Sequence, residues 1–107
     1  MSGANRIRVG KLADFPFGRK KMIESDLENI LVVNVGGEFF ALSNTCPHAG
    51  GYLNYGPLDG YLIECPLHYW PFDLRTGELI GIFEEDARLN TYPVIIEGDE
   101  VFVELPS

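Results

Sequence analysis

Hydrophobic and polar positions alternate most plainly at the end of the chain. In Glu100–Leu105, Val101, Val103 and Leu105 share one face, and Glu100, Phe102 and Glu104 share the other. That period of two predicts a half-buried strand. Tyr92–Glu97 precedes it across Gly98-Asp99, which predicts a hairpin. A second hairpin is predicted where Asn29–Val35 meets Glu38–Leu42 across Gly36-Gly37. Asn29–Val35 is rich in β-branched residues and too short for a helix of usual length. Arg6–Gly10 alternates weakly, and Tyr61–Cys65 reads as a strand after a turn at Asp59-Gly60. Asp26 and Glu28 are expected at a turn before the Asn29 strand. Only Phe83–Leu89 suggests helix, for one turn or two, and Pro93 follows soon after. The pattern predicts an all-β domain made of small antiparallel sheets.

Composition bounds this picture. The 107 residues suffice for one domain, and with 46% of them hydrophobic that domain can bury a core. A single domain over residues 1–107 is therefore expected. No apolar run approaches the roughly 18 residues of a spanning helix, and residues 1–8 lack the apolar centre of a signal peptide. These features predict no membrane association, a cytoplasmic location and, by default, a monomer. The formal charge is −8, which argues against nucleic acid as a partner. The charge is unevenly spread: six of the eight basic residues lie in residues 1–21, alongside a single acidic residue, Asp14. An acidic surface that steers basic partners and simple solubility explain this equally well.

Residues 44–73 depart from the strand pattern. They are crowded with backbone breakers, among them Gly50, Gly51, Gly56, Pro47, Pro57 and Pro66. Such a segment needs a reason to hold one shape, and a bound metal centre supplies one. The chain has two cysteines and two histidines, and all four lie here, as C-P-H at 46–48 and C-P-L-H at 65–68. Each pair offers two ligands from one loop, and sixteen residues separate the pairs, enough for an out-and-back hairpin. Two thiolates and two imidazoles suit zinc or an iron-sulfur centre. The usual zinc finger groups its cysteines together and its histidines together, with the histidines on a helix. Here the order is Cys-His-Cys-His and no helix is predicted. A [2Fe-2S] centre of mixed ligation suits interleaved loops, each giving one cysteine to one iron and one histidine to the other. The oxidised core is doubly positive, so two thiolates neutralise it. Reduction then leaves a single negative charge, which low-dielectric surroundings accept more readily than the charge left by four thiolates.

The C-P-H-A-G-G at 46–51 and the C-P-L-H at 65–68 together resemble the Rieske pattern. The flanking V-V-N-V-G-G-E-F-F-A-L-S-N-T-C at 32–46 and F-D-L-R-T-G-E at 72–78 resemble Rieske-type ferredoxins. The resemblance runs from about Arg6 to Leu105. It implies a fold of three antiparallel sheets, with a cluster-binding part whose loops fall within about residues 44–73. It implies one [2Fe-2S] cluster per chain, with Cys46 and Cys65 on the inner iron and His48 and His68 on the outer iron near solvent. High-potential members join a second cysteine from each loop as a disulfide; the matching positions here are Gly51 and Leu67. Those members also set a serine and a tyrosine near the cluster as donors, where this chain has Trp70 and Phe72, without hydroxyls. Fewer donors leave the reduced form less stabilised. The potential is expected near the low end of the Rieske range of about −150 to +300 mV.

The functional expectation follows from this resemblance. With both histidines committed to the cluster, none remains for a mononuclear iron site, so the chain is expected to be an electron carrier and not an enzyme. The resemblance implies a ferredoxin passing single electrons from a flavin-dependent NAD(P)H reductase to the terminal oxygenase of an aromatic ring-hydroxylating dioxygenase. The alternatives are the small subunit of an assimilatory nitrite reductase and, in a different class, a zinc-bound structural or interaction module. The aromatics Tyr52, Tyr55, Tyr61, Tyr69, Trp70 and Phe72 are expected mainly to pack, and Asp59, Glu64, Asp73 and Glu78 to be solvated. Many relatives carry glycine where Tyr69 stands. The loop is expected to take a path there that is allowed for tyrosine, with Tyr69 partly shielding the cluster.

Overall fold

The computed structural model describes residues 5–16, 18–47, 51–67, 69–81 and 87–106. Among these residues ten strands run in the order β1 (Asn5–Lys11), β2 (Lys20–Ile23), β3 (Ile30–Val35), β4 (Glu38–Ser43), β5 (Leu58–Asp59), β6 (Leu62–Glu64), β7 (Pro71–Asp73), β8 (Thr91–Tyr92), β9 (Val94–Glu97) and β10 (Glu100–Leu105). They form three antiparallel sheets, ordered β1-β10-β9, β2-β3-β4-β8 and β5-β6-β7. Among the described residues the only helical pieces are two single 3-10 turns, Leu12–Asp14 and Leu53–Tyr55. The all-β expectation with three small antiparallel sheets therefore holds.

β3 lies at the centre of the packing. Its Ile30 and Val32 join Val9, Phe15, Ala41, Val101 and Val103 in one buried cluster against the β1-β10-β9 sheet. Its Leu31 and Val33 join Leu42, Leu53, Ile63, Phe72 and Leu74 in a second cluster, toward β5-β6-β7. A strand buried on both faces needs apolar residues at every position, which is why I-L-V-V runs unbroken here while β10 alternates. The hairpin from β3 to β4 turns at Gly36 and Gly37, both at positive φ (59° and 97°), as a tight two-residue turn requires. Asn34 supports that turn: its Oδ1 accepts from Gly37 N–H at 2.9 Å, and its Nδ2 donates to the Phe15 carbonyl at 2.6 Å.

Some elements differ from expectation. β2, K-K-M-I, carries no strand-like pattern, yet it pairs with β3 as an edge strand. Lysines suit such an edge because they discourage pairing with other chains. The expected strand Tyr92–Glu97 is split at Pro93. Thr91–Tyr92 pairs with β4, while Val94–Glu97 pairs with β10 in a different sheet. Proline has no N–H for a ladder, and its carbonyl here accepts from Glu104 N–H at 2.9 Å. Of the helical turn expected at Phe83–Leu89, residues 83–86 lie outside the described residues. The remainder is extended, with Arg88 bridged to Glu78 and Leu89 N–H donating to the Gly77 carbonyl. The basic N-terminal stretch is partly neutralised by its sheet neighbours: Arg6 pairs with Glu97 at 2.7 Å and Arg8 with Glu100 at 2.5 Å. Both pairs are exposed, so each adds at most about 1 kcal/mol.

Candidate metal centre

Loop 1 leaves the end of β4 and returns through the 3-10 turn at Leu53–Tyr55. Its two ends are tied by Asn44, which is 1% exposed. Asn44 Oδ1 accepts from Asn54 N–H at 2.9 Å, and Asn44 Nδ2 donates to Asn54 Oδ1 at 2.8 Å. The Asn44 carbonyl accepts from Leu53 N–H at 2.7 Å, and its own N–H donates to the Asn29 carbonyl at 3.0 Å. Farther out, Thr45 bridges Tyr52, and Cys46 N–H donates to the Gly51 carbonyl at 2.8 Å. Cys46 is thereby set at the base of a closed arc, 2% exposed.

Loop 2 joins β6 to β7. Cys65, 0% exposed, opens it. Its N–H donates to the Trp70 carbonyl at 2.9 Å, and its carbonyl accepts from Tyr69 N–H at 2.6 Å. Tyr69 closes this turn at φ 58°, which corrects the expectation of an ordinary backbone path there. The short return to β7 requires the left-handed conformation, although tyrosine adopts it at a cost.

The two loops meet at Gly51. A β-carbon there would lie 3.0 Å from Leu67 Cγ and 3.3 Å from Cys65 Sγ. Gly51 is also the partner of the Cys46 N–H, so the bases of the two loops meet across this one residue. Both thiols belong to the same buried cluster as Leu42, Leu53, Ile63 and Phe72, and no disulfide joins them. Gly56 permits a second close approach: a β-carbon there would lie 1.7 Å from the Glu64 carbonyl oxygen, just before Cys65. His48 and His68 lie outside the described residues.

Two features around the loops were not legible in the sequence. Glu28 is more than a turn residue. Its Oε2 accepts from Ser43 Oγ (2.8 Å), Asn90 Nδ2 (3.1 Å) and Tyr92 OH (2.5 Å), joining three segments where β4 leads into loop 1. Partial burial pushes its carboxyl up, but the bonds from Tyr92, Asn90 and Ser43 outweigh that and hold it below the usual range. Burial first, then the Glu28 carboxylate, pushes the Tyr92 phenol well above its ordinary value. Asp73, expected to be solvated, is buried on β7, and Arg75 pairs with both its oxygens (3.1 and 3.0 Å). The Arg75 bond holds the Asp73 carboxyl below its ordinary range. Arg75 also lies 4.5 Å over the Tyr61 ring, whose hydroxyl donates to Glu38 on β4, so the cluster sheet is linked to the central sheet. Of the aromatics, Phe72 is buried and Trp70 partly buried, whereas Tyr52, Tyr55 and Tyr69 are exposed, contrary to the packing expectation. A surface groove of about 690 Å³ is lined by Leu27, Glu28, Tyr92, Glu104 and Pro106 among others, none of them from either loop.

Two buried thiols in one apolar cluster, at the base of loops that meet at Gly51, fit the sulfur half of an iron-sulfur group. Residues 5–93 match the family model of the Rieske [2Fe-2S] domain. The chain belongs to the Rieske [2Fe-2S] family. Membership implies a [2Fe-2S] cluster and displaces the zinc reading. When bound, such a group supplies reversible one-electron transfer. The chain is 40% identical over 103 residues to the 3-phenylpropionate/cinnamic acid dioxygenase ferredoxin subunit of Escherichia coli, covering 95% of each. It is similar to the solved ferredoxin of Sphingomonas yanoikuyae, with 34% identity, a TM-score of 0.83 and coverage of 95% of this Rieske chain and 100% of that one. It is also similar to a chain in the complex of reduced oxygenase and oxidized ferredoxin of carbazole 1,9a-dioxygenase, with 29% identity, a TM-score of 0.82 and coverage of 92% and 91%.

Proposed function

We propose that this Rieske chain is a ferredoxin of an aromatic ring-hydroxylating dioxygenase system. It carries single electrons from a flavin-dependent NAD(P)H reductase to the terminal oxygenase and catalyses no reaction alone. One cluster per chain is held within about residues 44–73, with Cys46 and Cys65 on the inner iron and His48 and His68 on the outer one. The chain acts as a single domain over residues 1–107, as a cytoplasmic monomer. The reading is carried by the match, over 95% of both chains, to a subunit named as a dioxygenase ferredoxin. The burial of Cys46 and Cys65 in one apolar cluster supports the cysteine half of that ligand set.

The test is reconstitution. Purified holoprotein is assayed for iron, sulfide and the EPR signal of a mixed-ligand cluster, then mixed with a flavin reductase, NADH and a panel of purified ring-hydroxylating oxygenases. Aromatic dioxygenation that depends on this chain is the expected result. A colourless protein with one zinc would overturn the cluster. Stable copurification with a large siroheme subunit, with no oxygenase supported, would assign the chain to nitrite reduction instead. Replacing His68 should abolish the native signal, and an unchanged signal would remove His68 from the ligand set.

A further inference from the structure

Tyr69 is the one non-glycine residue at positive φ among the described residues, at 58°. A bulky side chain is strained there because its β-carbon crowds the following carbonyl; glycine is not, and asparagine is strained less. The backbone bonds between Cys65 and Tyr69 and between Cys65 and Trp70 require the turn, but they would form equally well with glycine at the position. The residue is 66% exposed, and among the described residues no hydrogen bond, ion pair or ring contact holds its ring. Strain kept without such a contact among the described residues points to a role for the ring outside the molecule.

The surroundings define what that role requires. Leu67, 57% exposed, precedes His68 as Tyr69 follows it, and its side chain abuts Gly51 of loop 1. Tyr52, next to Gly51, is also exposed. Leu67 and Tyr69 in loop 2 and Tyr52 in loop 1 thus present exposed apolar and aromatic side chains from both loops. Along the sequence no lysine or arginine lies between Lys21 and Arg75, but in space Lys20 Nζ donates to the Gly56 carbonyl, so the apolar character of these side chains, and not charge, defines the partner surface. The complementary surface is an apolar recess.

We propose that Tyr69 is a specificity residue for docking on the terminal oxygenase, its ring entering an apolar recess there as a rigid anchor. The inference rests on the carrier reading above. The oxygenase is the occupant because a similar chain has been solved in complex with its oxygenase.

The test uses cluster-loaded protein and the oxygenase that accepts electrons from the wild-type chain in the reconstitution. Tyr69→Gly, Tyr69→Asn and Tyr69→Phe are compared by calorimetric binding, thermal unfolding, EPR and reduction potential. Tyr69→Gly and Tyr69→Asn should melt at or above the wild-type temperature, with unchanged EPR and potential, and bind the oxygenase at least about tenfold more weakly. Tyr69→Phe keeps the ring and should bind as wild type does. Wild-type affinity in Tyr69→Gly would overturn the role of Tyr69 and leave the carrier reading intact. Equal loss in Tyr69→Phe would overturn insertion of the ring. Failure of the wild-type chain to serve any oxygenase would overturn the carrier reading itself.

Discussion

Replacing Asn44 by alanine tests how loop 1 is held. The substitution removes the bonds at 2.9 and 2.8 Å that join Asn44 to the backbone and side chain of Asn54. Each bond contributes about 1 kcal/mol net, and leaving the Asn54 N–H without a partner adds about 1 more, so loop 1 loses about 3 kcal/mol. A small domain holds about 5–15 kcal/mol in all, so the fold survives while the loop opens more often. At about 1.4 kcal/mol per tenfold, opening becomes about a hundredfold more frequent. The backbone bonds from Leu53 to Asn44 and from Cys46 to Gly51 remain, which makes the effect local. The assay is the decay of visible absorbance when an iron chelator is added to holoprotein. Loss of the cluster should accelerate by up to about a hundredfold, with only a moderate fall in the melting temperature. Asn44→Asp keeps the acceptor and, with the Asn54 amide turned over, both contacts, so its effect should be milder. Cluster loss within twofold of wild type in Asn44→Ala, alongside a clear fall in melting temperature, would show that Asn44 supports the fold in general and does not latch the loop.

Three further expectations follow from other parts of the site. Gly56→Ala places a β-carbon 1.7 Å from the Glu64 carbonyl, a backbone clash that no rotamer relieves, so the yield of soluble holoprotein should collapse; a normal yield with a native EPR signal would refute the close approach. Glu28 has a folded pKa below its ordinary 4.5, so its stabilising effect is complete above that value and is lost as pH falls through the lower folded one. Glu28→Gln should therefore melt below wild type near neutral pH and converge with it in acid, and a constant gap across pH would refute the carboxylate's role. With Trp70 and Phe72 where hydroxyl donors would stand, protein-film voltammetry should give a potential near the low end of the range of about −150 to +300 mV, and a value near the high end would refute the argument.

The sequence by itself determined the candidate ligands, the all-β class and the principal hairpins. These rest on local facts: period-two alternation in Glu100–Leu105, the Gly36-Gly37 turn, and four metal-binding side chains confined to two short motifs. Only the tertiary structure decided the rest, because each remaining feature joins residues whose neighbourhood no local pattern records. β2 is a strand because β3 offers it an edge, and Pro93 divides one run of chain between two sheets. Glu28 draws together Ser43, Asn90 and Tyr92, the last sixty-four positions away. Asp73 is removed from the surface by Arg75 and by its place on β7. Tyr69 is left-handed because loop 2 must return from Cys65 to β7 in a few residues, a closure set by strand positions and not by the preference of tyrosine.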